Sequence, residues 1–516
     1  MAEEALAFIE ETPIRTAIVW FRRDLRLTDP PALTHALKTA DHIVPVYIHA
    51  PEEETPWIAG AASRWWLHHS LAALDQSLQA LGARLLILQG PTQAALHALI
   101  KTTGATAVHW NRSYEPTTLS RDTEIKATLR DGGLEVDSHV GNLLLEPWTV
   151  RNGSGEPFRV FTPFWRACQR DLSSVPPPQA KPRAITLAKT TPKGVSLTDL
   201  KLLPTRHWAA GFSSLWTPGE QGALARLDRF LDEAVNRYAD ERNRPDHAGT
   251  SGLAPHLHFG ELSPRQVLAH TLQVTGEASQ IKDTGAETFL REIGWREFAH
   301  HVLFAFPHTT DQPLDPKFRA FEWRQEPIGL RAWQRGQTGI PIVDAGMREL
   351  WHTGWMHNRV RMIVASFLTK NLGISWLEGA RWFYDTLVDA DLAANSLGWQ
   401  WAAGCGADAA PYYRIFNPIL QAERFDPHRD YLRRWVPELA ALPDAWIHQP
   451  FRAPPDILSA AGLTLGQQYP LPIVDLAVSR DRALATWQRI RTPEGANPVA
   501  ESAPQSSPSK RPKSKR

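Results

Sequence analysis

Five short apolar runs, each separated from the next by a stretch patterned for a helix or turn, constrain the first part of the chain to one architecture. They read TAIVWF (16–21), HIVPVYI (42–48), ARLLILQG (83–90), ATAVHW (105–110) and LEVDSHV (134–140). Amphipathic segments such as SRWWLHHSLAALDQSLQAL and SRDTEIKATLR lie between them. Near-continuous apolar runs mark strands buried on both faces, and their alternation with helices calls for parallel pairing through crossovers. The expectation is an α/β domain with a Rossmann-like parallel sheet over residues 14–145. The first run is followed by RRDLRLTDPPAL instead of a GxGxxG turn, so the pyrophosphate fingerprint of such sheets is missing.

The texture then changes twice. From 146 to 218 prolines recur, as in VPPPQ and KPRAI, and periodicity fades except in short helices such as FTPFWRACQR. This reads as a long interdomain linker laid over the surface. From 219 to 490 the pattern is helical. Leu224, Leu227, Leu231, Ala234, Val235 and Tyr238 recur at helical spacing, and ETFLREIGWREFAHHVLF, GMRELWHTGWMHNRVRMIVASFLTK and SWLEGARWFYDTL follow suit. An all-α domain is expected there. Residues 1–13 and 491–516, the latter ending QSSPSKRPKSKR, read as a disordered extension and a disordered basic tail.

A length of 516 residues allows two or three domains. The net charge of +1 means that any nucleic-acid partner is met by a local patch and not by a global field. Cys168 and Cys405 form neither a disulfide framework nor a zinc-ligand spacing. The start MAEEALAFIEET lacks signal-peptide features, and no run of some twenty apolar residues occurs. A soluble, intracellular, cytoplasmic protein is expected, with no membrane contact. Twenty-one tryptophans stand against eight tyrosines, so either the helical cores are large or some indoles have a task of their own.

Between Gly354 and Pro418 the segments GWMHNRVRM and DADLAANSLGWQWAAGCGADAAPYYRIFNP set Asp389, Asp391, Asn395, Asn358 and Arg361 into a packed helical background. Such groups are costly to bury unless they are paired or face a ligand. A large flat cofactor with nitrogen and carbonyl edges would supply the partners.

Three blocks together resemble the photolyase/cryptochrome family: IVWFRRDLRLTDPPAL (18–33), DHAGTSGLAPHLHFGELSPRQ (246–266), and WQRGQTGIPIVDAGMRELWHTGWMHNRVRM joined to the DADLAANS segment. The resemblance covers nearly all of the chain to about residue 490. It implies an α/β antenna domain, a long linker and an all-α domain that holds FAD. In such enzymes light excites reduced flavin, one electron passes to a cyclobutane pyrimidine dimer in UV-damaged DNA, the ring splits and the electron returns. The chain looks most like a class I deoxyribodipyrimidine photolyase acting as a monomer. A cryptochrome, a blue-light receptor without repair activity, is the alternative.

Carried over residue by residue, the resemblance assigns Tyr238 and Thr250, Ser251, Gly252, Leu253 and Ala254 to the flavin diphosphate and ribityl cradle. Ala254 departs from the family's usual serine, and Thr250 or Ser251 as a plain helix cap is the other reading. Asp389, Ala390, Asp391, Arg361 and Arg296 fall to the flavin, with Arg361 a partner for Asp389. Asn395 takes the position facing flavin N5, where plant cryptochromes carry Asp. Glu292, Trp295, Asn358, Arg359, Met362 and Trp401 form the lesion pocket, with the two indoles walling the dimer. Arg242 and Arg359 are the DNA phosphate contacts. Trp399, Trp376 and Trp323 match an electron-relay chain. Tyr114 and Glu115 resemble the stretch that contacts a 5,10-methenyltetrahydrofolate antenna, with a deazaflavin less favoured. His256, His258, His300 and His301 read as capping or surface residues, and no metal site is expected.

Overall fold

The computed structural model describes residues 14–276, 284–410 and 413–491. The extension expected over 1–13 and nearly all of the expected tail (492–516) lie outside the described residues. The five apolar runs become β1 (Thr16–Phe21), β2 (His42–His49), β3 (Leu86–Gln89), β4 (Ala107–Asn111) and β5 (Glu135–His139). They pair in parallel in the order β3-β2-β1-β4-β5. Every residue of β1, the central strand, is buried. Its alternate side chains serve two cores. Ala17, Val19 and Phe21 pack with α1 (Pro31–Thr39) and α2 (Ala61–Gln79), while Ile18 and Trp20 pack with α3 (Thr92–Thr103) and α4 (Pro116–Asp131). The chain builds outward from β1 to β3 and then crosses back to set β4 on the other side of β1. That reversal opens a crevice at the carboxyl ends of β1 and β4, where sheets of this kind bind ligands.

The segment after β5 is more than a surface strap. In α5 (Phe161–Asp171), Phe161, Phe164, Trp165 and Cys168 pack on Phe298 and Val302, and Leu187 adds a parallel bridge to Ile43 of β2. Prolines erase periodicity here, yet a few aromatic side chains are enough to build a core.

Helices dominate the remainder, and no strand occurs beyond β5 among the described residues. The helix expected to run through Tyr238 stops early: α6 spans Glu220–Glu233, Ala234 leaves helical geometry, and a tight turn leads into a four-residue helix at Tyr238–Glu241. Next come α7 (Gly285–Ala305), α8 (Pro341–Thr353), α9 (Asn358–Ser366), α10 (Trp376–Thr386) and α11 (Leu392–Ala403). Side chains of Thr284, His357, Ser375 and Asp391 cap α7, α9, α10 and α11 by accepting backbone N–H bonds. Gly354 ends α8 at φ +67°, and a Cβ there would lie 2.7 Å from Phe212. No described helix is long and apolar enough to cross a membrane.

Candidate active site and second cavity

The cap of α11 gathers the polar groups that the sequence left without partners. Arg361 donates from Nη2 to both oxygens of buried Asp389 (3.1 and 2.8 Å) and from Nε to the Met356 carbonyl (2.7 Å). Asp391 accepts the Ala394 N–H (2.8 Å) and has His300 Nε2 at 3.4 Å and His258 Nδ1 at 3.7 Å. Burial opposes ionisation of Asp391, but the two imidazoles hold its carboxyl well below the usual range. His258 is itself held low by burial and by Arg23. Contrary to expectation, His256, His258, His300 and His301 are all buried. His301 donates from Nδ1 to the Pro147 carbonyl (3.0 Å) and accepts the Phe158 N–H at Nε2 (2.9 Å), while His256 meets Glu261 at 2.5 Å. His258, His300 and His301 thus link distant segments, while His256 closes a local contact five residues long.

Asn395 donates its amide N–H to the Ala380 carbonyl (3.0 Å), leaving Oδ1 as its open atom. Beside it Ala394 and Gly398 are exposed, and a Cβ at Gly398 would meet nothing within 4 Å. An open floor of small residues edged by an amide, two carboxylates and a guanidinium fits a flat, hydrogen-bonding cofactor. Ala390 is buried, so only its backbone is available there.

Tyr238 sits edge-on to Phe230 and Phe289 (5.4 and 5.7 Å between centroids), with the Arg242 guanidinium 5.6 Å over its ring. Arg242, expected to contact DNA, is ion-paired with Glu292 at 2.7 Å. Burial raises the Glu292 carboxyl while Arg242 draws it back. Ser251 Oγ accepts the Leu253 N–H (3.4 Å), and the next helix begins without a side-chain cap, so the capping alternative for Thr250 or Ser251 does not hold. Gly252 has φ +61°, and a Cβ on it would lie 2.6 Å from Arg226 Nη1. Arg226, stacked over Trp216 at 4.6 Å, therefore sets a cation against the 250–254 loop. Nothing in the local sequence marks it, since it is one of two arginines on that helix. Arg296 donates to the backbone carbonyls of Asn142 (2.5 Å) and Leu257 (3.4 Å). Its position on α7 lets it brace the 142 segment, a contact no local pattern announces.

Asn358 is exposed on the first turn of α9, with Met362 four residues on along the same side. Arg359 donates to Asn243 (2.6 Å) and stacks over Phe425 at 4.3 Å. Burial, then Arg242 and Arg424, lower its pKa, so three guanidinium groups crowd this face. Trp295 lies flat on Phe161 (3.9 Å, 7°), and half-buried Trp401 touches Phe416 (6.4 Å). Trp399 and Trp376 are buried and Trp323 is half-buried against one common core. Trp399 meets Phe383 edge-on at 5.0 Å.

A second cavity of about 220 Å³ opens at the β1/β4 crevice, lined by Trp20, Arg23, Tyr47, Glu115, Arg121 and Tyr384 among others. Glu115 is ion-paired with Arg23 inside it. Tyr114 is not part of the lining, since its hydroxyl donates to Glu146 (2.9 Å). His258 and Phe259 line this cavity too. The His258–Asp391 contact therefore joins its wall to the cap of α11.

Comparison with known proteins agrees with this geometry. Residues 17–183 match the DNA photolyase family, and 289–489 match the FAD binding domain of DNA photolyase. The chain is 50% identical to a deoxyribodipyrimidine photo-lyase of Agrobacterium fabrum, over 92% of this chain and 98% of that one. It is 41% identical to Cryptochrome-2 of Arabidopsis thaliana, over 92% and 79%. A crystal structure described as a bacterial class III photolyase from Agrobacterium tumefaciens superposes with a TM-score of 0.89 at 49% identity, covering 94% of this chain and 99% of that one. Matches to both family domains and a half-identical relative spanned almost end to end place the chain in the DNA photolyase/cryptochrome family.

Proposed function

We propose that this chain is a light-driven DNA repair enzyme that splits cyclobutane pyrimidine dimers and binds FAD in its helical domain. The observation that carries the reading is the open floor of α11, edged by Asn395, Asp391 and the Arg361–Asp389 pair. Arg361, Asp389, Asp391 and Asn395 would hold the flavin ring and adenine side. Tyr238 and the Thr250–Ala254 loop would hold the ribityl and diphosphate, with Arg226 supplying a countercharge. When bound, reduced FAD supplies the light-driven electron that opens the cyclobutane ring.

The chain's own residues do the rest. Photolyases take the damaged bases out of the helical stack, and Trp295 and Trp401 offer indole surfaces in place of the lost neighbours. Glu292 and Asn358 present hydrogen-bonding groups for pyrimidine edges, and Met362 adds a soft apolar contact. The raised Glu292 carboxyl holds a proton at Oε more readily than an exposed one and can donate it in a hydrogen bond once Arg242 turns away. Arg242 and Arg359 then meet backbone phosphates, which gives salt-sensitive, sequence-independent affinity. Trp399, Trp376 and Trp323 carry an electron between surface and interior. The second cavity takes an antenna, methenyltetrahydrofolate in preference to a deazaflavin, with Glu115 accepting pterin N–H groups and Arg121 near its anionic tail. The half-identical Agrobacterium structure is described as class III, so class III stands beside class I as a reading of the subclass. The chain acts as a monomer.

The test is repair of an oligonucleotide carrying one thymine cyclobutane dimer, by protein loaded with reduced FAD, in blue light and in darkness. Light-dependent loss of the dimer is expected, and Glu292→Ala should weaken repair while keeping FAD. Absence of repair with flavin bound and reduced would favour the cryptochrome reading, to which the 41% identity with Cryptochrome-2 gives its footing. Asn395, where plant cryptochromes carry Asp, speaks for repair.

A further inference from the structure

Three imidazoles and a carboxylate converge between α1 and the last two strands, outside the lining of the second cavity and away from the floor of α11. In the parallel register of β4 and β5, His109 is opposite Asp137 and Asn111 is opposite His139. His109, Asp137 and His139 therefore project to one face of the sheet, and α1 lays His35 over it. Ring centroids are 4.8 Å apart for His35–His109, 5.0 Å for His35–His139 and 5.8 Å for His109–His139. Donor atoms of His35, His109 and Asp137 all lie within 4.8 Å of one another. His109 is 0% exposed, yet neither of its ring nitrogens has a hydrogen-bond partner; His35 Nε2 and His139 Nε2 are buried and unpartnered as well. Each orphaned buried polar atom costs about 1–3 kcal/mol. Four in one cluster call for a partner that the protein does not supply.

We propose that His35, His109, His139 and Asp137 form a binding site for a divalent transition-metal ion of the zinc type. Imidazole nitrogens with one carboxylate oxygen are a donor set suited to that ion. Bonds of about 2.0–2.1 Å set tetrahedral donors roughly 3.4 Å apart, so the cluster closes by about an ångström on loading. His35, with 37% of its side chain exposed, is the way in and the residue freest to move. The flanking charges are mixed. Glu135 stands 3.7 Å from His35 while pairing with Arg15, and Asp137 is shared with Arg130 at 3.1 Å. Arg112 adds a further cation beside His139. Competition from these arginines sets the affinity below that of a closed structural zinc site. A bound ion would pin α1 to β4 and β5. The four donors come from three separate elements and are joined only by register, so no sequence spacing announced them and the expectation of no metal site is revised.

The test uses the full chain with oxidised FAD bound, stripped with a chelator and dialysed against zinc chloride, with bound metal counted by elemental analysis and thermal unfolding followed in parallel. One zinc per chain with a micromolar or tighter Kd is expected, together with a higher unfolding midpoint. His35→Ala, on the exposed side, and His109→Leu, in the core, should each weaken binding at least tenfold and remove the midpoint rise. Should His109→Leu fail to fold, His35→Ala decides alone. No stoichiometric binding, or undiminished binding in His35→Ala, overturns the proposal.

Discussion

Glu297→Gln tests how the site helix is tied to the segment that leaves the sheet. Glu297 is buried on α7, five residues after Glu292 and two after Trp295, and its Oε2 accepts the N–H groups of Leu144 (3.0 Å) and Leu145 (3.3 Å). Its other oxygen has no hydrogen-bond partner. Burial pushes the carboxyl up to about 7, against the pull of Arg296 and the two amides, whereas an unfolded glutamate titrates near 4.3. The folded chain thus holds a proton that the unfolded chain releases. Stability from this group is complete below about pH 4.3 and is lost as pH rises toward 7. At about 1.4 kcal/mol per pH unit the loss amounts to roughly 3–4 kcal/mol. Glutamine keeps a carbonyl acceptor for the two amides and cannot ionise, so the variant escapes the loss. The assay is the thermal unfolding midpoint of both proteins between about pH 4.5 and 8. At roughly 2–4 °C per kcal/mol for a domain of this size, the native midpoint should fall by about 6–16 °C relative to the variant. Midpoints that run parallel across that range would refute the reasoning.

Asp389→Ala leaves the Arg361 cation, only 23% exposed at its side chain, without its carboxylate. A loss of about 2–4 kcal/mol follows, and FAD should dissociate on gel filtration; full flavin retention would count against the assignment. Gly379→Ala would set a methyl 2.0 Å from Trp399 Cη2. Overpacking of about 1–3 kcal/mol should lower the unfolding midpoint and slow light-driven reduction of bound oxidised FAD, while an unchanged rate removes Trp399 from the relay. Arg359→Ala should weaken DNA binding equally for all sequences and reduce the slope of log affinity against log salt by about 1; a sequence-dependent loss would contradict a phosphate contact.

The parallel sheet was legible because burial on both faces writes itself as unbroken apolar runs: β1 occupies the very residues 16–21 of the first run. The third run was read too long, since Ala83 and Leu85 are buried ahead of the strand that begins at Leu86. Burial and pairing are different properties, and a hydrophobic pattern reports only the first. In the site, Arg361 with Asp389 was foreseeable, because a buried carboxylate needs a cation and one lay on the neighbouring helix. Arg242 with Glu292 and Arg226 with Gly252 were not, since each pair is closed by tertiary packing. The four histidines were misjudged for a related reason. Imidazole is polar enough to suggest surface, yet inside a core its two nitrogens can bridge distant segments, as His301 does between Pro147 and Phe158.

The wall made by His258, Phe259 and Tyr384 has a consequence for the handling of light. Resonance transfer between two chromophores depends on the angle between their transition dipoles as well as on their separation. Here His258 borders the second cavity and stands 3.7 Å from Asp391, which accepts the Ala394 N–H in the first turn of α11. A pigment in that cavity and a flavin beside α11 would inherit their mutual tilt from the same few residues. Alignment would then be set when the chain folds, and a change at His258 would register as misorientation, with lost transfer efficiency, even where both pigments remain bound.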